Sequence, residues 1–323
     1  MCAEKPWVRV RVPGKVILMG EHAVVYGQPA LAIPVFGVEA RAEVFSFPAG
    51  QPGEVYLDAP QVALHDVPVS SLPAAHPLRV AVAQALGSAG SPSFPLKVRV
   101  EATIPMAAGL GSSAAVAVAL LRALTRALGK DLPPDVISAL AYEVEKIHHG
   151  TPSGVDNTTV AFARPVYFRK GHPPEPLEVG GPFTLLIGDT GVPASTKDTV
   201  ARVREGWLQD RAGYEARFRA IGALVEEGRR ALARGDAPVL GRLMDENHAL
   251  LRSLGVSHPT LERLVAAARA AGAWGAKLSG GGGGGNMIAL VPPEKATVVT
   301  QALQRAGAVR VWTTTLAPES PET

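Results

Sequence analysis

The chain has 323 residues, 47% hydrophobic and 19% charged, which supplies a large core and excludes a disordered chain. Its net charge of +3 comes without a dense Lys/Arg block, so a nucleic-acid-binding face is not expected, although anionic small molecules suit the slight basic excess. Cys2 is the single cysteine, which excludes an internal disulfide framework. The longest apolar run, Ala114 to Leu121, is far short of the ~20 residues of a membrane span. The first twenty residues contain no apolar signal-peptide core, so the expected location is cytoplasmic, with no membrane partner.

Alternation of apolar and charged residues predicts a strand over Trp7 to Val12, interrupted by Pro13-Gly14 and followed by a buried strand, Val16 to Met19. Val38 to Phe47 alternates again, and residues 48–77 read as loops and short strands because they are rich in Pro and Gly. A helix is expected from about Leu78 to Gly87 and a strand from Leu96 to Ala102. Further helices are expected from Ser113 to Leu128 and from Pro133-Pro134 to His148 or His149, with a loop from Gly150 to Asn157. After a strand at Phe183 to Ile187, the pattern gives helices near 196–233, 236–252 and 259–272. A glycine run at 280–285 then precedes a strand (Met287 to Val291), a helix (293–306) and a strand (Val309 to Thr315). This pattern places a domain boundary near 188–196, giving domains 1–190 and 191–323, with no internal repeat and a frayed tail from Pro318.

The most informative segment runs from Ile104 to Ser113: a small-residue loop with Gly109, Gly111, Ser112 and Ser113 between a strand and an apolar helix. A strand, a glycine turn and a helix start expose backbone N–H groups at the positive end of a helix dipole, where phosphate binds. Gly109-x-Gly111-x-x-Ala114 also fits a dinucleotide fingerprint, with Asp131 as its acid. That fingerprint requires a second strand before the acid, and none is expected between the helix and Pro133-Pro134. No lysine follows the loop glycines, so the P-loop pattern is absent. A tight packing turn with serine N-caps remains the simpler alternative.

Three other segments carry chemistry. Lys15 interrupts an apolar region after Pro13-Gly14, and needs either an anionic partner or a route to solvent. Gly20-Glu21-His22 follows the strand end. Glu145 falls near a helix C-terminus, where the dipole disfavours an anion unless a cation is near. Glu145-x-x-His148 also matches half of a di-metal motif, with Asp245-x-x-His248 as its weak partner. Asp156 leaves a Pro/Gly-shaped loop that either aims its carboxylate or forms an Asx turn. Lys277-Leu278-Ser279 leads into six glycines, a run better explained by close backbone approach than by a linker inside a domain.

These segments together resemble the galacto-/homoserine/mevalonate/phosphomevalonate (GHMP) kinase superfamily, and within it the mevalonate kinases. The resemblance runs in order from Pro13 to Gly285. Gly20-Glu21-His22-Ala23-Val24-Val25-Tyr26-Gly27 and the stretch His149 to Asn157 are the mevalonate-type forms, whereas galactokinases continue Gly-Glu-His with Thr-Asp-Tyr. Gly281 stands where the family usually has alanine or serine.

The resemblance implies an α+β, two-lobed fold: an N-terminal ribosomal-protein-S5-like α/β lobe and a C-terminal helix-rich ferredoxin-like lobe, with ATP and substrate bound between them. It implies ATP- and Mg²⁺-dependent transfer of the γ-phosphoryl group to the C5 hydroxyl of mevalonate, in isoprenoid biosynthesis. A phosphomevalonate or sugar kinase, and a non-catalytic ATP-binding sensor of the same fold, are the alternatives. By the same resemblance, the loop residues Pro105, Ala108, Gly109, Leu110, Gly111, Ser112, Ser113 and Ala114 bind ATP, and Ser113 and Glu145 ligate Mg²⁺. Asp156 is the base and Lys15 its charged partner, while Glu21, His22, Thr196, Gly281 and Gly282 bind substrate. Oligomeric state is left open, with a homodimer among the allowed assemblies.

Overall fold

The computed structural model describes residues 5–105, 108–150, 152–194 and 196–318, with the backbone alone for His148 and His149. Cys2, Met106, Ala107, Thr151, Ser195, the side chain of His148 in the half di-metal motif, and 319–323 of the expected tail lie outside the described residues. The chain begins with β1 (Val8–Met19), β2 (Ala30–Ser46), β3 (Val55–Ala59) and β4 (Leu64–Pro68). It continues through α1 (Pro77–Ala89), β5 (Leu96–Ala102), α2 (Ser112–Ala127), α3 (Pro134–His149) and α4 (Val155–Phe162). Next come β6 (Val166–Phe168), β7 (Glu175–Pro176), β8 (Phe183–Asp189), α5 (Thr196–Gln209), α6 (Arg211–Arg234) and α7 (Ala237–Ser253). Last are α8 (Pro259–Ala270), β9 (Gly275–Ser279), β10 (Asn286–Val291), α9 (Ala296–Arg305) and β11 (Arg310–Leu316).

Contacts divide the chain into two compact units, one formed by Met1–Lys15, Pro34–Met106 and Leu110–Ala163, the other by Val16–Ile33, Ala107–Gly109 and Arg164–Thr323. A division in chain order at 190/191 differs from this grouping for a physical reason. β8 precedes that point, yet it pairs with both β10 and β11.

In the first unit, β3 runs parallel to β5 and antiparallel to β4, while β5 pairs antiparallel with residues 40–46 of β2. α2 packs against α1, α3, α4 and β5, which puts it at the centre of the helical layer. Its sequence explains that place. Ala114, Ala115, Ala117, Ala119 and Ala123 are buried and let neighbours approach, while buried Leu120, Leu121 and Leu124 each contribute about 1.5–3 kcal/mol of burial.

Two expectations fail in this unit. Pro13-Gly14 does not interrupt β1, which is continuous from Val8 to Met19. Among the described residues β1 pairs only with β2, and an edge strand tolerates the loss of the N–H that Pro13 lacks. The loop expected to reach Asn157 ends earlier, because α4 begins at Val155 after Gly154 turns the chain at φ 95°. Asp156 is therefore in the first turn of a helix.

In the second unit the strand order is β11-β8-β10-β9, antiparallel throughout. With α5–α8 joining β8 to β9 and α9 joining β10 to β11, this is the ferredoxin-like βαββαβ arrangement implied by the sequence resemblance. The single helix expected over 196–233 is two. The break falls at Asp210, whose carboxylate caps α6 by accepting from the Gly213 amide at 3.0 Å.

The residues that lead into the glycine run form the strand β9, which is wholly buried. α7 approaches it at a glycine pair: a Cβ on Gly275 would lie 1.9 Å from the Gly241 carbonyl oxygen, and one on Gly241 would lie 2.5 Å from Trp274 backbone. Gly241→Ala is expected to destabilise the protein by about 1–3 kcal/mol through overpacking, read as a lower urea midpoint. An unchanged midpoint would show that the two backbones can separate without cost.

Candidate active site

The loop between β5 and α2 is shaped for an anion. Gly109 and Gly111 take φ 77° and 73°. Gly111, not a serine, is the N-cap of α2, and no side chain caps the helix. The Ala115 amide bonds the Gly111 carbonyl at 2.9 Å, so the amides of Ser112, Ser113 and Ala114 precede the first helical bond. The serines are used elsewhere: the Ser112 hydroxyl donates to the Ile104 carbonyl at 3.4 Å, and the Ser113 hydroxyl bonds Glu145. Ala108, Leu110 and Ala114 are buried, Pro105 is half-buried and Gly109 is exposed.

Lys15 passes directly beside this loop. Its amide donates to the Leu110 carbonyl at 3.0 Å, and a Cβ on Gly111 would lie 2.8 Å from Lys15 Cγ. The side chain is 3% exposed, so the snorkelling alternative fails, and its ammonium meets Asp156 Oδ1 at 2.8 Å. α4 brings Asp156 there because its neighbour Asn157 is anchored on α3. Asn157 Nδ2 donates to the Ser138 carbonyl at 3.0 Å and to Ser138 Oγ at 2.9 Å.

Seven residues after Ser138 on α3, Glu145 is buried. Burial first, then the negative charge of Asp156, pushes its carboxyl from the ordinary 4.5 up to about 7; the Ser113 hydroxyl and Lys15 oppose the shift. The first unit thus brings together Lys15, Gly111, Ser113, Glu145 and Asp156. Among the described residues no three His, Cys, Asp or Glu side chains form a metal cage. A hard divalent cation that completes its shell with water and phosphate needs only one or two carboxylates. The oxygen donors of Ser113 and Glu145 fit such an ion, and its charge would relieve the repulsion between Glu145 and Asp156.

In the second unit, His22 and its neighbours form a separate cluster. His22 Nε2 lies 2.9 Å from the Gly281 carbonyl, so that nitrogen carries the proton and Nδ1 is left as an acceptor. Burial, with the charge of Lys277 adding, holds the imidazole down to about 4 against the pull of the Gly281 carbonyl. Thr196 opens α5 and lies close to Gly281, where an added Cβ would come within 3.0 Å of its Cγ2 and Oγ1. Gly282 has φ 76°, and a Cβ there would be 2.0 Å from the Val256 carbonyl oxygen. Glu21 is buried and paired with Lys277.

The glycine run is hydrogen-bonded, as close approach requires. The Gly283 amide donates to Val256 at 2.9 Å, the Gly285 amide to Val192 at 2.8 Å, and Thr190 Oγ1 donates to the Gly285 carbonyl at 2.7 Å. Asn286, which follows the run, donates to the Ala108 carbonyl.

Sequence reasoning assigned no site role to Lys277, Asn247 or Asn286. Lys277 carried the same signal as Lys15, a charge inside an apolar strand segment. Asp245 and His248, weighed as metal ligands, instead pin α7 to β9: Asp245 Oδ1 accepts from the Ala276 amide at 2.8 Å, and His248 Nδ1 from the Leu278 amide at 3.3 Å.

The raised carboxyl of Glu145 sets a sign for stability. Native protein binds the extra proton between the unfolded value near 4.5 and the folded value near 7, so stability falls as pH rises through that window. Glu145→Gln removes this loss, and its thermal midpoint is expected to exceed that of the wild type above pH ~7 but not at pH ~4. Equal gains at both pH values would contradict the raised carboxyl.

Comparison with known proteins identifies the family. Residues 77–164 match the family model of the GHMP kinases N terminal domain, and residues 229–309 match that of the GHMP kinases C terminal domain. The chain is 36% identical to a mevalonate kinase of Thermococcus sibiricus over 321 residues, 95% of each chain. It is 37% identical over 334 residues to a mevalonate kinase of Pyrococcus horikoshii, again 95% of each. A crystal structure of L. major mevalonate kinase in complex with R-mevalonate superposes with a TM-score of 0.82 at 29% identity, covering 99% of this chain and 100% of that one.

Proposed function

The chain belongs to the mevalonate kinase family of the GHMP kinases, and from that membership we propose that it transfers the γ-phosphoryl group of ATP to the C5 hydroxyl of mevalonate. The products are 5-phosphomevalonate and ADP, an early step of isoprenoid biosynthesis. The observation that carries the reading is the contact of Lys15 with Asp156 beside a helix start that no side chain caps.

In this reading the amides of Gly109 to Ser113, with the rest of the loop from Pro105 to Ala114, hold the ATP phosphates at the helix N-terminus. Ser113 and Glu145 would hold Mg²⁺, which when bound would neutralise charge on the phosphate oxygens. Asp156 accepts the proton of the C5 hydroxyl as that oxygen bonds to the γ-phosphorus and the bond to the β-phosphate oxygen breaks. An alcohol ionises far above neutral pH, so an aligned carboxylate contributes about 10²–10⁴-fold. Lys15 pairs with Asp156 through Oδ1 and stabilises charge on the transferring group, which assigns Oδ2 to the hydroxyl. His22, through Nδ1, and Thr196, Gly281 and Gly282 contact mevalonate, while Glu21, expected as a further contact, is buried against Lys277. Among the described residues no helix is long and apolar enough to cross a membrane.

Asp156→Asn is expected to keep ATP affinity near that of the wild type while lowering kcat by about 10²–10⁴-fold, in a coupled ADP-release assay. Near-normal turnover would remove Asp156 from the base role. The same assay with mevalonate, phosphomevalonate and galactose tests the substrate, and ADP release with either of the latter but not mevalonate would refute it. Ser113→Ala and Glu145→Gln are each expected to raise the Mg²⁺ concentration needed for half-maximal rate. Unchanged metal dependence in both would overturn the ligand assignment.

A further inference from the structure

Between β1 and the short 3₁₀ turn at Ala23–Tyr26, the chain bends through costly backbone conformations. Gly20 has φ 104°, and a Cβ there would lie 2.6 Å from Ala30 Cα. His22 has φ 61° with a full side chain, a backbone region that L side chains rarely adopt. Such a conformation persists only where its surroundings fix it, and four polar contacts do so. Ser279 Oγ donates to the Ile17 carbonyl at 2.9 Å, and Asn247 Oδ1 accepts from the Gly20 amide at 3.4 Å. Lys277 pairs with Glu21, and His22 Nε2 donates to the Gly281 carbonyl at 2.9 Å. Three of the four partners lie on β9 or in the glycine run that follows it.

Only the Glu21–Lys277 contact joins two charges, and these side chains are 1% and 0% exposed. Burial pushes the Glu21 carboxyl up and the Lys277 ammonium down, each opposed by the other's charge. Taking two charges out of water costs several kcal/mol per ion, and replacing such a pair by apolar groups is often neutral or stabilising. Stability is therefore a poor account of why the pair exists, and its position gives a better one. Lys277 Nζ also donates to the Leu278 carbonyl at 2.6 Å, so one ammonium is fixed at once to the end of β9 and to the turn. Two residues beyond Ser279, the Gly281 carbonyl receives His22.

We propose that Lys277 and Glu21 are positioning residues for the phosphoryl acceptor: their ion pair sets the spacing of the 20–22 turn from Gly280–Gly281, and so the direction of His22 Nδ1. Neither side chain needs to touch the substrate to do this. The inference rests on the reading of mevalonate as acceptor with His22 as one of its contacts. That reading fails separately, if the wild-type enzyme releases no ADP with mevalonate.

The test compares Lys277→Met, Glu21→Met and the double variant in kcat, in KM for mevalonate and for ATP, and in thermal midpoint. Each single change strands a buried polar or charged group, so both are expected to lower the midpoint, whereas the double variant recovers it. The mevalonate KM is expected to rise about tenfold or more in every variant that folds, the double included, with the ATP KM within about twofold of wild type. If the single variants do not accumulate, the double variant decides alone. A double variant with wild-type mevalonate KM would overturn the proposal and leave the pair as packing. An equal rise in both KM values would overturn it too, because the effect would then not be specific to the acceptor.

Discussion

The ion pair of Lys15 with Asp156 is the constraint around which the first unit's chemistry is arranged. A nearly buried ammonium demands a counter-charge, and a carboxylate 2.8 Å away provides it. Every neighbouring feature follows from placing those two groups together. Gly111 lacks a Cβ where the lysine passes, and the Leu110 carbonyl fixes the lysine's backbone. Asn157 ties α4 to α3, the helix that also presents Glu145. Once Asp156 is in place, Glu145 feels its charge, and the pair of carboxylates becomes a fitting neighbour for a cation. One contact thus relates the proposed base, the glycine loop before α2 and the proposed metal ligand.

The second unit solves a different problem with similar means. It must hold a strained histidine and a run of glycines in a single arrangement against a large ordering cost. Enclosed polar groups do this: Thr190 and the 192 and 256 carbonyls take up the glycine backbone, while Lys277, Asn247 and Gly281 fix the turn that bears His22. β9 is entirely buried although it includes Lys277 and Ser279, because Lys277 pairs with Glu21 of that turn and Ser279 bonds the Ile17 carbonyl of β1.

Much of this was legible in the chain because it rests on local chemistry. The β5–loop–α2 unit was readable from periodicity and glycine placement, and Lys15 from a charge inside an apolar run. Boundaries set by tertiary contacts were not. Pro13-Gly14 reads as a break, but an edge position and the approach of Leu110 keep β1 whole. Asp156 reads as a loop residue because Pro152, Ser153 and Gly154 precede it, yet Gly154 starts a helix there. In the simpler alternative the serines of the loop before α2 were caps, but the structure caps α2 with Gly111 and leaves the serine hydroxyls for Ile104 and Glu145. The partner of Glu21 was hidden for a plainer reason: Lys277 is 256 residues away, and no local pattern pairs them.

The central claim is that Asp156, held by Lys15, receives the acceptor's proton beside the helix start that holds the phosphates. A crystal structure with a non-hydrolysable ATP analogue, Mg²⁺ and mevalonate tests it most directly. The account predicts phosphate oxygens on the amides of 109–113, and the C5 hydroxyl within hydrogen-bond distance of Asp156 Oδ2 while Oδ1 stays on Lys15. A C5 hydroxyl out of reach of Asp156, with the phosphates still seated on the loop, would contradict it.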